Sequence, residues 1–104
     1  MDFNTILATL PTIDHLSGLA VFDGEQQIHH ISAIAGKLGS LRVYNALAEK
    51  FNGKLDRTCA EEGVRLFAEH TQDAKQFPGK HPNIDLLFMV IEQGKDYRLV
   101  PEEK

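Results

Sequence analysis

The chain has 104 residues, 42% of them hydrophobic and 25% charged, with a formal net charge of −4. This composition suits one globular domain with its own core. It argues against nucleic acid as a partner, because phosphate contacts need a basic face.

Phe3, Ile6, Leu7 and Leu10 recur at helical spacing, so a short helix is predicted over Asp2–Leu10, stopped by Pro11. Gly18–Phe22 is an apolar strand, Asp23-Gly24 is a strong tight-turn signal, and Gln27–Ser32 returns as a second strand. The register of this hairpin stays open. A two-residue loop sets Leu19 opposite Ile28, and a four-residue loop sets Val21 there. A shift of one residue turns every side chain to the other face, so the facing of His29 and His30 stays open too.

Ala35–Ser40 is a glycine-rich connector, and Ser40 is placed to cap a helix over Leu41–Asn52. Leu41, Tyr44, Leu47, Ala48 and Phe51 form its apolar stripe, and Gly53 stands where a C′ glycine belongs. Asp56 can cap a long helix over Arg57–Phe77, with Ala60, Val64, Phe67, Thr71 and Ala74 facing inward. Glu61–Arg65 and Arg65–Glu69 are ion pairs of i,i+4 spacing on its outer side. Gly63 costs ~1 kcal/mol against alanine in a helix, which points to a close helix–helix approach or a kink.

Pro78-Gly79 ends that helix, and Pro82 opens the next, Ile84–Gln93. This segment is apolar nearly all round, so it is buried on more than one side, by its own domain or by another copy of the chain. Gly94 closes it. Asp96–Val100 is a short last strand, and Pro101 with the charged tail Glu102–Lys104 ends the ordered chain. The element order is α-β-β-α-α-α-β. An α+β domain follows: a small antiparallel sheet, hairpin plus C-terminal strand, with about four helices packed on one face.

The single cysteine, Cys59, excludes a disulfide within the chain and is expected to be a small buried hydrophobe. The longest apolar run, Leu86–Ile91, is too short for a bilayer, and Met1–Thr12 lacks the basic start of a signal peptide. A protein of the reducing cytoplasm, without a membrane partner, is expected.

The densest run of chemistry is AEHTQDAKQFPGKHPNID, Ala68 to Asp85. His70 and Asp73 are three apart on a predicted helix, so their side chains can meet. If the PGKHP turn folds back, His81 approaches His70. Two imidazoles and a carboxylate then make a candidate ligand set for a transition metal, or a group for acid–base work. The plainer alternative is a solvated helix face followed by an ordinary turn, and no HExxH or cysteine pair backs a metal.

A second candidate is AGKLGSL. Gly36, Lys37, Gly39 and Ser40 precede a helix whose free N–H groups could hold an anion. Lys37 stands before the second glycine, so this is not a P-loop, and turn residues with a serine cap explain it equally well. Leu86, Met89 and Val90 of the apolar helix are a candidate interface. His29 and His30, adjacent on a strand, point to opposite faces and cannot chelate one metal together.

The segments LATLPTIDHLSGL, GKLGSLRVYNALA and LFAEHTQDAKQFPGKHPNID together resemble a family of short bacterial proteins catalogued only as a domain of unknown function, over nearly the whole chain. The resemblance implies a bacterial, cytoplasmic protein and no activity, cofactor or catalytic residue. The leading expectation is a non-enzymatic module that associates with itself or with another protein through the apolar helix. The alternative is a metal- or anion-binding protein or enzyme built around His70, Asp73 and His81.

Overall fold

The computed structural model describes residues 1–104. The predicted hairpin forms, with β1 over Leu16–Asp23 and β2 over Gln26–Ser32. Asp23 pairs with Gln26 across the tight turn Gly24–Glu25. Gly24 takes φ +61°, a conformation that side chains disfavour. Neither strand alignment offered by the sequence holds, because Ile28 is an extra residue in β2. Val21 pairs with His29 and Phe22 with Gln27. This bulge decides the facing of the histidines. His29 lies on the face of Val21, and His30 lies on the opposite face with Ala20.

Lys54–Leu55 forms β3, a strand with no sequence signal of its own, and Tyr97–Glu103 forms β4. The sheet is antiparallel throughout, in the order β2-β1-β4-β3. β4 runs past Pro101, where the ordered chain was expected to end. Leu99 N–H donates to the Gly53 carbonyl at 2.7 Å on the β3 side. Two residues on, the nitrogen of Pro101 faces that same side, where no strand pairs with β4. The N–H that proline lacks therefore breaks no ladder.

The helices pack on the face that carries Leu19, Val21, Ile31 and Leu99, all buried. The opposite face carries Gly18, Ala20, Phe22, His30 and Val100, with Arg98 over the Phe22 ring at 5.0 Å. A Cβ on Gly18 would stand 2.7 Å from the Ile31 carbonyl oxygen and 3.0 Å from the His30 ring. The missing side chain lets that ring lie across β1 and reach Glu102 Oε1 at 2.6 Å.

The helices are α1 (Phe3–Leu7), α2 (Leu38–Lys50), α3 (Arg57–Leu66), α4 (Glu69–Gln76) and α5 (Pro82–Gln93). α2 starts three residues before the predicted Leu41, and Lys37 holds the cap position without a side-chain bond. Ser40 is therefore a first-turn residue, not the cap. At its other end Asn52 is left-handed, with φ +53°, and Gly53 N–H donates back to the Ala48 carbonyl at 2.8 Å. That is a Schellman ending with asparagine at C′ and Gly53 one residue later. Asp56 caps α3 as predicted, accepting from Cys59 N–H at 3.0 Å.

The predicted long helix Arg57–Phe77 is two helices, which makes five in all. The chain breaks at Ala68, whose φ is +51° and ψ −122°. Phe67 stays buried, and Thr71 Oγ1 donates to the Val64 carbonyl at 2.5 Å. The expected pairs of Arg65 do not form either. Arg65 binds Glu62 at 2.7 and 2.8 Å, and Lys50 joins Glu62 at 3.0 Å. Glu69 instead accepts from Phe3 N–H. An alanine in this left-handed region is strained by about 1–2 kcal/mol. Ala68→Gly is expected to raise stability by about 1 kcal/mol in urea denaturation. A midpoint at or below that of the parent protein would show that the turn carries no strain.

α5 is buried on more than one side, as its pattern predicts. Ile84, Leu87 and Val90 are core residues, and Leu86, Phe88, Met89 and Ile91 pack half-buried against them. Of the three candidate interface residues, Val90 is buried within the domain, while Leu86 and Met89 keep part of their surface. Gly63 allows the close approach of α3 to α5. A Cβ there would lie 2.7 Å from Leu87 Cδ1 and 3.0 Å from Leu47 Cδ1.

Candidate functional site

A cleft of about 670 Å³ opens between α1, the start of α2, the end of β2, the start of α4 and the start of α5. Both stretches singled out in the sequence line it. Gly36–Ser40 forms one wall, and His70, Lys80 and His81 stand on another.

The N-terminal segment holds the walls together. Phe3 stacks on Phe67 with ring centres 5.7 Å apart and meets the edge of His70 at 4.7 Å. Its N–H donates to Glu69 Oε1 at 2.8 Å. A Cβ on Gly39 would stand 3.1 Å from the Phe3 ring, so this glycine seats the first turn of α2 against α1. Arg42 pins the same segment through the carbonyls of Leu10 and Pro11, at 2.8 and 3.1 Å.

The PGKHP turn does fold back. Gly79, at φ +93°, donates its N–H to Asp85 Oδ2 at 2.9 Å. His81 Nε2 donates to Asp73 Oδ2 at 2.7 Å, and Lys80 Nζ reaches the same oxygen at 2.9 Å. Asp73 thus binds His81, not His70 three residues before it. These bonds, His81's first and Lys80's second, hold the Asp73 carboxyl below its ordinary pKa. The rings of His70 and His81 lie 5.8 Å apart, tilted by 48°. A carboxylate can only accept, so His81 carries a proton on Nε2, and its Nδ1 has no protein partner. Both ring nitrogens of His70 also lack one.

Two residues of the cleft escaped the sequence. His29 Nε2 donates to Asn83 Oδ1 at 2.6 Å, and the Asn83 carbonyl accepts from the Tyr44 hydroxyl at 2.5 Å. A bonded chain therefore runs from the buried Tyr44 through the start of α5 to the cleft. The inward facing of His29 depends on the bulge at Ile28, which no local residue announces. Asn83 closes the AEHTQDAKQFPGKHPNID run with Asp85, and nothing in that run pairs it with His29. His30 also borders the cleft, but its ring is tied to Glu102 across the sheet.

No aspartate or glutamate lines the cleft, whereas two lysines and four histidines do. Lys80 is paired with Asp73, while Lys37 makes no ion pair. The first turns of α2 and α5 open here without a side-chain cap. At α2 the Leu38, Gly39 and Ser40 N–H groups have no backbone partner, whereas at α5 Pro82 has no N–H and Ile84 donates to the His81 carbonyl at 3.0 Å, so Asn83 alone is left there. His70, Asp73 and His81 share one neighbourhood, yet no three His, Cys, Asp or Glu side chains are grouped to hold a metal ion. Asp73 commits its oxygen to His81 and Lys80. Cys59 lies elsewhere, in the core; burial first, then Asp56 and Glu62, push its thiol up to about 12. It is the buried hydrophobe expected.

A family model described as an uncharacterized protein conserved in bacteria, DUF2322, matches residues 3–101. The chain belongs to DUF2322. Every cleft residue named here falls within the matched span of DUF2322, from Phe3 onward. No curated protein and no solved structure matches the chain. No helix of this DUF2322 protein is long and apolar enough to cross a membrane.

Proposed function

We propose that this DUF2322 protein binds a small molecule bearing a phosphate or carboxylate group in the cleft between α1, α2 and α5. The observation that carries this is a concave site free of carboxylates in a chain of net charge −4. Lys37 and the uncapped start of α2 supply its donors, with the Asn83 N–H of α5 beside them. A volume of about 670 Å³ suits a metabolite-sized ligand. The reducing cytoplasm is the proposed place of action.

Inorganic phosphate is the first probe. At a hundred times Kd it stabilises the native state by ~2.7 kcal/mol, roughly 10 °C or more in Tm for a chain of this size. Lys37→Ala is expected to weaken binding in calorimetry by roughly ten- to a hundredfold, since it removes a charged hydrogen-bond donor. A thermal shift that survives both Lys37→Ala and Ser40→Ala would exclude the Gly36–Ser40 loop as the contact.

Association through α5 has less support. Ile84, Leu87 and Val90 already lie in the protein's own core, which leaves the half-buried Leu86, Phe88, Met89 and Ile91 for a partner. Light scattering is expected to give a monomer, and a stable dimer that Met89→Lys dissociates would restore the interface.

A further inference from the structure

We propose that the cleft hydrolyses small phosphodiesters, with His81 as general base and His70 as general acid; this rests on the anion-binding function proposed above. Three observations carry it. First, Asp73 fixes the proton of His81 on Nε2 at 2.7 Å and so leaves Nδ1 with a lone pair. A base held by a carboxylate in one tautomer is the arrangement that proton abstraction requires. Second, His70 stands beside it, rings 5.8 Å apart, with no protein partner on either nitrogen. Each ring must come within about 3 Å of its own oxygen, and two imidazoles at this spacing can serve the entering and leaving oxygens of one phosphorus. Third, the one lysine of the cleft without an ion pair is Lys37. Lys37 is left to face the negative charge of a phosphodiester, beside the His70 that gives its proton to the leaving oxygen, and the cleft has room for substituents on both sides of the phosphorus.

The step balances with water as the co-reactant. His81 Nδ1 takes one proton from water, and the water oxygen bonds to phosphorus. The bond from phosphorus to the leaving oxygen breaks, and that oxygen takes a proton from protonated His70. A phosphomonoester and an alcohol leave, no electrons are transferred, and both rings exchange protons with solvent to restore the starting state. Asp73 touches no reacting atom and is a positioning residue.

The test uses the full chain in EDTA with bis(4-nitrophenyl) phosphate, beside amide NMR spectra taken with inorganic phosphate. The expected result is hydrolysis that falls at least a hundredfold in His81→Gln, and equally in His70→Gln with a 2′,3′-cyclic nucleoside monophosphate, whose alkoxide leaving group needs the proton. Both variants should keep dispersed spectra and the phosphate-induced shifts of Gly39 and Ser40. Ring-nitrogen NMR of the unmodified protein should place the His81 proton on Nε2. Asp73→Asn should disturb that tautomer, and Asp73→Glu should restore it. Phosphate shifts without hydrolysis above buffer, or histidine variants as active as the parent, would overturn the catalytic inference and leave anion binding standing. An absence of phosphate shifts at Gly39 and Ser40 would overturn both.

Discussion

Leu87→Ala is expected to lower the unfolding free energy by about 2–5 kcal/mol, the range for emptying a fully buried leucine site. For a domain of this size each kcal/mol moves Tm by roughly 4–8 °C, so the variant should melt about 8 °C lower or more. The site has little freedom to collapse, because α3 already touches α5 at the glycine below it. There a Cβ would lie 2.7 Å from Leu87 Cδ1. Gly63→Ala alone therefore combines a helix-propensity gain of ~1 kcal/mol with an overpacking cost of about 1–3 kcal/mol, and is expected to destabilise. In the Leu87→Ala background the obstacle is gone and the new methyl occupies part of the void. The double variant should be more stable than the sum of the singles predicts by at least about 1 kcal/mol. A urea cycle that is additive within about 0.5 kcal/mol would mean that the two helices do not meet at this contact.

Tyr44→Phe is expected to cost about 0.5–1.5 kcal/mol although it removes one oxygen. The hydroxyl is the donor to the Asn83 carbonyl, and its loss leaves that carbonyl with only its helical bond within α5. Burial, with Cys59 as the lesser cause, raises the phenol's pKa, so the donor keeps its proton at any working pH. The effect should also be local. Asn83 holds His29 through its side chain, so hydrogen exchange in the first turn of α5 should quicken more than in α3. A loss under about 0.5 kcal/mol, or uniform exchange across the helices, would show that the bond does not anchor the start of α5.

Much of the fold was legible because local chemistry marked it. Asp23-Gly24 announced the hairpin, Asp56 the start of α3, Gly94 the end of α5, and the apolar pattern of Ile84–Ile91 a helix buried on more than one side. The failures share a cause. Ala68 breaks a helix with neither glycine nor proline, and the inward stripe continues through it: Phe67 and Ala74 are buried on both sides of the break. Lys54–Leu55 becomes a strand only because β4 lies beside it. Ile28 bulges through pairing with a distant partner, and with it goes the facing of His29. The cleft was half visible. Each wall carried its own polar residues, but their meeting depends on Phe3 bridging α4 and α2, a contact between residues far apart in the chain.

The two margins of the sheet set how this protein behaves when crowded. One margin is β2, kinked where Ile28 interrupts the pairing. The other is a two-residue stub, followed along β4 by a proline that offers no hydrogen to a newcomer. An incoming chain finds no long flat ladder to copy on either side. Growth of fibrils from the folded state therefore lacks a template on either margin.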